Sequence, residues 1–141
     1  MSDDVTDLVD WTAFSQARAE LGADFIRILG YFREDGIKSV AAIEAGMRAG
    51  SAAALVLPAH TLKGESRQFG ANPLAGMAEE IETVARSCVE LRQSPDELIE
   101  AVVRLRPLFE ATLALFDRES NPLVQRRPVD GRRAQALGGL E

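Results

Sequence analysis

The stretch Ala59–Ala71, AHTLKGESRQFGA, holds the only histidine of the chain and marks the central helix of the predicted fold. Its residue types favour a helix, in which successive side chains lie about 100° apart around the axis. On such a helix Lys63, Gly64 and Arg67 fall on the same side as His60. The opposite side carries the stripe that a helix buries against its neighbours, formed by Leu55, Leu62, Ser66 and Phe69. His60 is therefore predicted to face solvent.

The side of this helix that carries His60 suits phosphoryl transfer. An exposed imidazole nitrogen can attack a phosphoryl group in line, and Lys63, one turn further along, can pair with the phosphoryl oxygens. Gly64 costs about 1 kcal/mol of helix propensity relative to alanine, so a glycine at this position needs a reason. The close approach of a second protein that brings its own carboxylate is a sufficient one.

The residues around His60 resemble the histidine-containing phosphotransfer (HPt) domains of multistep phosphorelays. The resemblance covers residues 10–118 and rests on His60-Thr61-Leu62-Lys63-Gly64, Gly70-Ala71, Leu74 and Ile81-Glu82. It implies that His60 accepts a phosphoryl group from the receiver-domain aspartate of a hybrid histidine kinase and passes it to the aspartate of a response regulator receiver domain. It also implies a phosphoryl carrier that is not an enzyme and has no cofactor of its own, because the partner receiver domain supplies the Mg²⁺.

The apolar residues of the whole chain predict helices. They recur at spacings of three and four in each successive segment, which is the pattern of amphipathic helices with short connections. Neighbouring helices joined so closely must run antiparallel. We therefore expect an all-α fold, an antiparallel four-helix bundle with a short accessory N-terminal helix. The bundle should span residues 10–119, between a frayed N-terminus at 1–9 and a disordered tail at 120–141.

The helix ends and interruptions leave some choices open. Four residues are predicted to cap helix N-termini: Asp10, Ser51, Asn72 and Ser94. Gly36 marks a kink, a break or a close helix contact. Pro58 either bends the histidine helix or marks the start of its main body, which would leave 52–57 as a looser turn, and Pro107 predicts a kink in the last helix.

Glu82 is predicted to lie level with His60 on the neighbouring helix. With Ala71 as the turn, His60 lies eleven residues before it and Glu82 eleven after it. The resemblance implies a polar residue here that contacts the imidazole or the phosphoryl group. The alternative is an ion pair between Glu82 and Arg86 in the favourable i, i+4 order, and the two roles can coexist. Arg86 resembles a basic residue of the family and is a candidate electrostatic contact, although a solvated surface arginine is the alternative.

An apolar patch lies beside His60 on a continuous helix and is formed by Ala53, Val56 and Leu57. Such a patch next to an exposed reactive group indicates a docking surface for a partner, which would also include Lys63, Gly64 and Arg67. The alternative is a central helix that is buried over a wide arc. Pro58 makes the phase of the helix uncertain, so both interpretations stay open.

Composition limits the other functions. The chain has 141 residues and a net charge of −6, which disfavours binding to nucleic acid. We find no apolar run long enough for a membrane span, and one cysteine with one histidine disfavours a structural metal site. We expect a cytoplasmic monomer.

Two other classes of protein share features with this sequence. A histidine kinase dimerisation segment also presents a histidine on a helical bundle, but an acidic residue typically follows that histidine, and here Thr61 does. A four-helix scaffold or phosphate sink that binds receiver domains without onward transfer remains the alternative function.

Overall fold

The computed structural model of the protein describes residues 5–120, and short connections join the helices in this range. No strand occurs among these residues. Short 3-10 turns lie at Val5–Leu8, Gly22–Asp24 and Asp96–Leu98. The α-helices are α1 (Trp11–Leu21), α2 (Phe25–Arg48), α3 (Ala53–Gln68), α4 (Asn72–Leu91) and α5 (Ile99–Ser120).

Helices α2 to α5 form a closed four-helix bundle. Helix α3 packs between α2 and α4, and α5 closes the ring because it contacts both α2 and α4. Short connections make sequential neighbours antiparallel. Helix α1 is the accessory element and packs against α2 and α3. The predicted fold class is confirmed.

The start of α1 is fixed to the turn between α3 and α4. Asp10 caps α1, since its Oδ1 accepts hydrogen bonds from the backbone N–H groups of Thr12 at 3.0 Å and Ala13 at 3.2 Å. The backbone N–H of Asp10 donates to the carbonyl of Gly70 at 2.8 Å. Gly70 has φ of +79°, and a Cβ there would lie 2.6 Å from the Asp10 carbonyl oxygen. Glycine is thus required at this position both for the conformation of the turn and for the close contact with the start of α1.

All six phenylalanines of the chain meet in one buried cluster. The rings pack edge-on, tilted or stacked at centroid distances from 5.0 to 6.0 Å, which adds specific aromatic contacts to the burial of apolar area. The cluster joins α1, α2, α5 and the end of α3. Its members are Phe14, Phe25, Phe32, Phe69, Phe109 and Phe116.

The structure decides between the alternatives for the interrupted helices. Helix α2 runs without a break through Gly36, where a Cβ would lie 2.3 Å from Cε1 of Phe109, so this glycine marks a close helix contact. Helix α3 begins at Ala53, so the alternative of a looser turn at 52–57 is wrong. Pro58 and Pro107 both lie inside continuous helices.

Leu8 and Val9, which belong to the predicted frayed N-terminus at 1–9, pack on the bundle. Val5–Leu8 form a 3-10 turn, and Val9 is only 4% exposed within the apolar core, with Leu8 packed against it. Burial of these apolar side chains stabilises this segment on the bundle. Residues 1–4 and residues 121–141 of the tail predicted at 120–141 lie outside the described residues, and Ser120 is the last residue of α5.

Two of the four predicted caps are confirmed and two are wrong. Besides Asp10, Ser51 caps its helix, because its Oγ accepts a hydrogen bond from the backbone N–H of Ala54 at 3.2 Å. Asn72 is already the first residue of α4, since the first helical hydrogen bond runs from the N–H of Ala75 to the carbonyl of Ala71 at 2.9 Å. Ser94 lies ahead of the tight turn at Asp96–Leu98, and α5 starts only at Ile99.

A carboxyl pair joins α2 to α3. Burial, and then the hydrogen bond and the charge of Asp35, raise the pKa of Glu65 from its ordinary value of 4.5 to about 7. Its Oε1 is buried without a hydrogen-bond partner among the described residues. The folded protein therefore holds a proton on Glu65 more tightly than the unfolded chain does. This group penalises the folded state increasingly as the pH rises from about 4.5 through 7.

We expect Glu65→Gln to remove this pH dependence. At pH 8 the variant should exceed the wild type in free energy of unfolding by about 1 kcal/mol, allowing for screening by solvent, and near pH 4.5 the two should agree. Urea unfolding from pH 4.5 to 8 measures the difference. Asp35→Asn is the matched control and should remove only the part of the dependence that comes from Asp35. An unchanged pH profile for Glu65→Gln would contradict the interpretation of the pair.

Candidate functional site

His60 lies on the outer side of α3, where its side chain is 57% exposed. Its position follows from the stripe below it, because Leu55, Leu62 and Ser66 are all fully buried, as their spacing predicts. Ring atom Nδ1 lies 2.9 Å from Oε2 of Glu82 on α4. This contact between residues 22 apart in sequence agrees with the register that the turn at Ala71 predicts.

The contact with Glu82 determines which nitrogen of the imidazole carries the proton. An ionised carboxylate only accepts hydrogen bonds, so Nδ1 must carry the proton. In the neutral ring Nε2 then carries the lone pair and is the nucleophilic nitrogen. The hydrogen bond to Glu82 also fixes the orientation of the ring, in the same way that a catalytic base in an enzyme is oriented by a third group.

Glu82 is the buried centre of the site. Its side chain is 7% exposed, and besides His60 it contacts Lys63 and Arg86. Nε and Nη2 of Arg86 both donate to Oε2, at 3.1 and 2.8 Å. Nζ of Lys63 lies 2.8 Å from Oε1 in an ion pair, although its direction leaves Oε1 without a well-aligned hydrogen bond.

The charge of Glu82 is maintained by these neighbours. Burial alone would raise the pKa of the carboxyl group, but the nearby Lys63, Arg86 and His60 outweigh burial and lower this pKa from 4.5 to about 2. Glu82 is therefore ionised throughout the physiological range. Both interpretations of Glu82 from the sequence hold together in the structure, since it pairs with Arg86 and contacts the imidazole.

Arg67 is not drawn into this cluster. Its guanidinium pairs with Glu79 on α4 at 2.5 Å, and both side chains are about half exposed. Arg67 therefore lies on the α3–α4 face without contacting Glu82. Helical spacing alone predicts neither Glu79 as the partner of Arg67 nor the pairing of Lys63 with Glu82.

The surface along α3 on either side of His60 is open and partly apolar. Leu57 is 70% exposed, Ala53 is exposed one turn before it, and Val56 is half-buried against the core. The alternative of a central helix that is buried over a wide arc therefore holds for Val56 but not for Leu57. A Cβ at Gly64 would meet nothing within 4 Å. No intramolecular contact among the described residues requires this glycine, and the docking role of these residues stays a prediction.

Metal-ligand clusters and membrane-spanning helices are both absent from the described residues. Over 5–120, no three or more His, Cys, Asp or Glu side chains gather in a way that could hold a metal ion. In the same range no helix is long and apolar enough to cross a membrane.

Comparison with known proteins identifies the family. The family model for the Hpt domain matches residues 27–116, more than half of the chain. No curated protein matches the sequence significantly. Among solved structures, the chain is similar to histidine-containing phosphotransfer protein B (HptB) from Pseudomonas aeruginosa PAO1. The TM-score is 0.69 and the identity 26%, over 79% of this chain and 93% of that chain. The chain thus belongs to the Hpt domain family, the histidine phosphotransfer proteins of phosphorelays.

Proposed function

We propose that His60 is the residue that carries the phosphoryl group. In this proposal it accepts the group from the receiver-domain aspartyl phosphate of a hybrid histidine kinase and passes it to the aspartate of a response regulator receiver domain. The observation that carries the proposal is the exposed imidazole whose Nδ1 is held by the buried Glu82, because this leaves Nε2 free toward solvent.

The transfer step follows from this arrangement. Nε2 attacks the phosphorus in line, a bond from Nε2 to phosphorus forms, and the phosphorus–oxygen bond to the aspartate breaks. The aspartate leaves as a carboxylate with the electron pair. The imidazole becomes positively charged, and Glu82 stabilises that charge because it accepts the Nδ1 proton in a hydrogen bond. The reverse reaction hands the group to the next aspartate.

The rest of the machinery is divided between the two proteins. Lys63 lies one turn from His60 on the same helix, where its ammonium can pair with phosphoryl oxygens. The Mg²⁺ and the acidic residues that hold it would belong to the receiver domain, where they neutralise charge on the transferring group. The chain itself acts as a carrier, without kinase or phosphatase activity of its own.

Docking would use the surface of α3 around His60. Ala53 and Leu57 offer exposed apolar area on one side, with Val56 partly buried beside them, and Gly64 and Arg67 lie on the other side. Apolar contact at the centre with charged residues around it is the usual pattern of such interfaces. The open space above Gly64 gives a receiver aspartate room to approach the ring.

The test is phosphoryl transfer from a panel of phosphorylated receiver domains to the wild-type chain. We expect an acid-labile adduct on His60, with phosphorus attached to Nε2 as judged by ³¹P NMR. Attachment at Nδ1 would contradict the role given to Glu82. If no receiver labels the folded chain but some bind it, the scaffold alternative takes over.

Gly64→Ala should separate stability from transfer. The added methyl group meets nothing within 4 Å inside the chain, so the helix should gain about 1 kcal/mol in free energy of unfolding. Transfer from the receiver should slow by about tenfold, because the same methyl group obstructs the approaching aspartate. A tenfold change in rate corresponds to about 1.4 kcal/mol of activation free energy.

Gly30→Ala is the matched control for this prediction. Gly30 lies in α2 with nothing near its Cβ position, and it lines a groove between α2 and α5. The control should gain similar stability and transfer at the wild-type rate. Unchanged transfer in Gly64→Ala would remove the steric argument for the glycine.

A further inference from the structure

Glu82 is paired with two permanent cations, one more than a single carboxylate needs. The two cations are held differently. Arg86 donates two well-directed hydrogen bonds to Oε2 from one turn further along α4, the helix that carries Glu82 itself. Lys63 reaches across from α3 and pairs with Oε1 by charge, without a well-aligned hydrogen bond. Arg86 thus makes two contacts with the carboxylate and Lys63 makes one, so Lys63 gives up fewer contacts when it changes partner.

We propose that Arg86 is a positioning residue that keeps the buried Glu82 paired, so that Lys63 can move from Glu82 to the phosphoryl group on His60. The proposal rests on the proposed function of His60 as a phosphoryl carrier. It assigns the two basic residues different tasks, with Lys63 as the contact to the phosphoryl group and Arg86 as the group that makes this contact available.

A phosphoryl group on His60 attracts a cation because it is negatively charged. Such a group carries a charge of roughly −1.5 to −2 at neutral pH and three acceptor oxygens. Lys63, three residues after His60, lies on the same side of α3. Its ammonium sits on a flexible stem and has three donors, so it can change partners by rotation of its side chain.

The burial of Glu82 explains why Arg86 is needed. The side chain is only 7% exposed, and removing one partner from a buried ion pair is strongly unfavourable because it leaves an uncompensated charge. With Arg86 in place, Glu82 stays paired when Lys63 leaves. Without Arg86, release of Lys63 would leave Glu82 with the imidazole as its one remaining partner among the described residues, so Lys63 would be retained there.

The rival explanation is that Arg86 contacts the phosphoryl group directly. Its side chain is 58% exposed, so access alone does not exclude this. The two explanations differ in how Arg86 depends on Glu82. If Arg86 acts by neutralising Glu82, then removing the charge of Glu82 should make Arg86 dispensable. If Arg86 contacts the phosphoryl group, its effect should persist.

The experiment compares Arg86→Gln, Lys63→Gln, the double variant of these two, Glu82→Gln, and Arg86→Gln combined with Glu82→Gln. His60 is loaded with phosphoramidate, so that no partner protein is required. The bond from phosphorus to Nε2 forms as the phosphorus–nitrogen bond of phosphoramidate breaks, and ammonia leaves with the electron pair. The measured quantity is the pKa of the phosphoryl group, from ³¹P NMR across pH. A nearby cation lowers this pKa because it favours the more charged form.

We expect Lys63→Gln and Arg86→Gln each to raise the phosphoryl pKa by about half a unit, a threefold change in proton affinity. The double variant should shift it no further than either single variant. Adding Glu82→Gln to Arg86→Gln should return the phosphoryl pKa toward that of Glu82→Gln alone. Arg104→Gln, at an exposed position on α5, is the control and should cause no shift.

Other outcomes overturn specific claims. Additive shifts, or an Arg86→Gln effect that survives Glu82→Gln, would show that Arg86 contacts the phosphoryl group itself. No shift in Arg86→Gln would show that Lys63 is released without it. If the loaded protein behaves as expected while no receiver domain transfers to it, the proposed function fails, although the assignment of Lys63 and Arg86 to different contacts stands. If neither phosphoramidate nor a phosphorylated receiver domain loads His60, both proposals fail.

Discussion

The variant His60→Gln should accept no phosphoryl group from any receiver domain that labels the wild-type chain. Glutamine keeps a polar side chain of similar reach, but its amide nitrogen is not a nucleophile at neutral pH. The chain has a single histidine, so no second imidazole can take over the reaction. Transfer from a phosphorylated receiver, followed by detection of the acid-labile adduct, measures the loss.

The same variant should fold like the wild type. More than half of the His60 side chain is exposed, and Glu82 retains Lys63 and Arg86 as partners when the ring is removed. Exposed substitutions of this kind change the free energy of unfolding by roughly 0.5 kcal/mol or less. A loss of several kcal/mol in urea unfolding would mean that His60 is a structural residue. Labelling of the variant would place the carrier elsewhere.

The variant Gly36→Ala should lower the free energy of unfolding by about 2 kcal/mol. Its Cβ would lie 2.3 Å from Cε1 and 2.5 Å from Cζ of Phe109, far inside van der Waals contact. Phe109 cannot easily retreat, since it is buried and its ring packs against Phe32 in the aromatic cluster. The strain outweighs the gain of about 1 kcal/mol that alanine brings to a helix. Urea or thermal unfolding measures the net effect.

Gly30→Ala, six residues earlier on the same helix, is the matched control. The Cβ position at Gly30 meets nothing within 4 Å, so only the helix propensity changes and stability should rise by about 1 kcal/mol. The two variants exchange the same atoms in the same helix with opposite expected signs. Equal effects on stability would contradict the explanation that the close contact with Phe109 requires Gly36.

Apolar periodicity was enough to predict most of the fold. In α2 and α5, residues at spacings of three and four are buried as predicted, among them Phe32, Ile43, Leu105 and Phe116. The prediction succeeded because burial of an apolar stripe depends on the local geometry of one helix, which the sequence spacing encodes directly.

Predictions at the helix ends were less reliable. Asp10 and Ser51 cap their helices, whereas Asn72 and Ser94 do not. All four are residue types that favour this position. They differ in the backbone conformation of the turn ahead of the helix, for example in the positive φ of Gly70. The capping preference of a residue type does not depend on that conformation, so it cannot predict it.

The helix breakers illustrate the same limit. Gly36 was compatible with a kink, a break or a close contact, and only the distance to Phe109 distinguishes these. Pro58 removes one backbone hydrogen bond, yet the surrounding packing keeps α3 continuous across it. Tertiary contacts decide such cases because they outweigh a local preference of a few kcal/mol.

The sequence by itself determined the helices, their antiparallel order, the outward direction of His60 and the level of Glu82, because each follows from helical spacing and a short turn. Only the tertiary structure decided the partners of the long polar side chains. These include the pairing of Lys63 with Glu82, of Arg67 with Glu79 and of Glu65 with Asp35. Such side chains span several Å and can reach more than one partner. Which partner each one contacts depends on the distance between the two packed helices and on how deeply the side chain is buried between them.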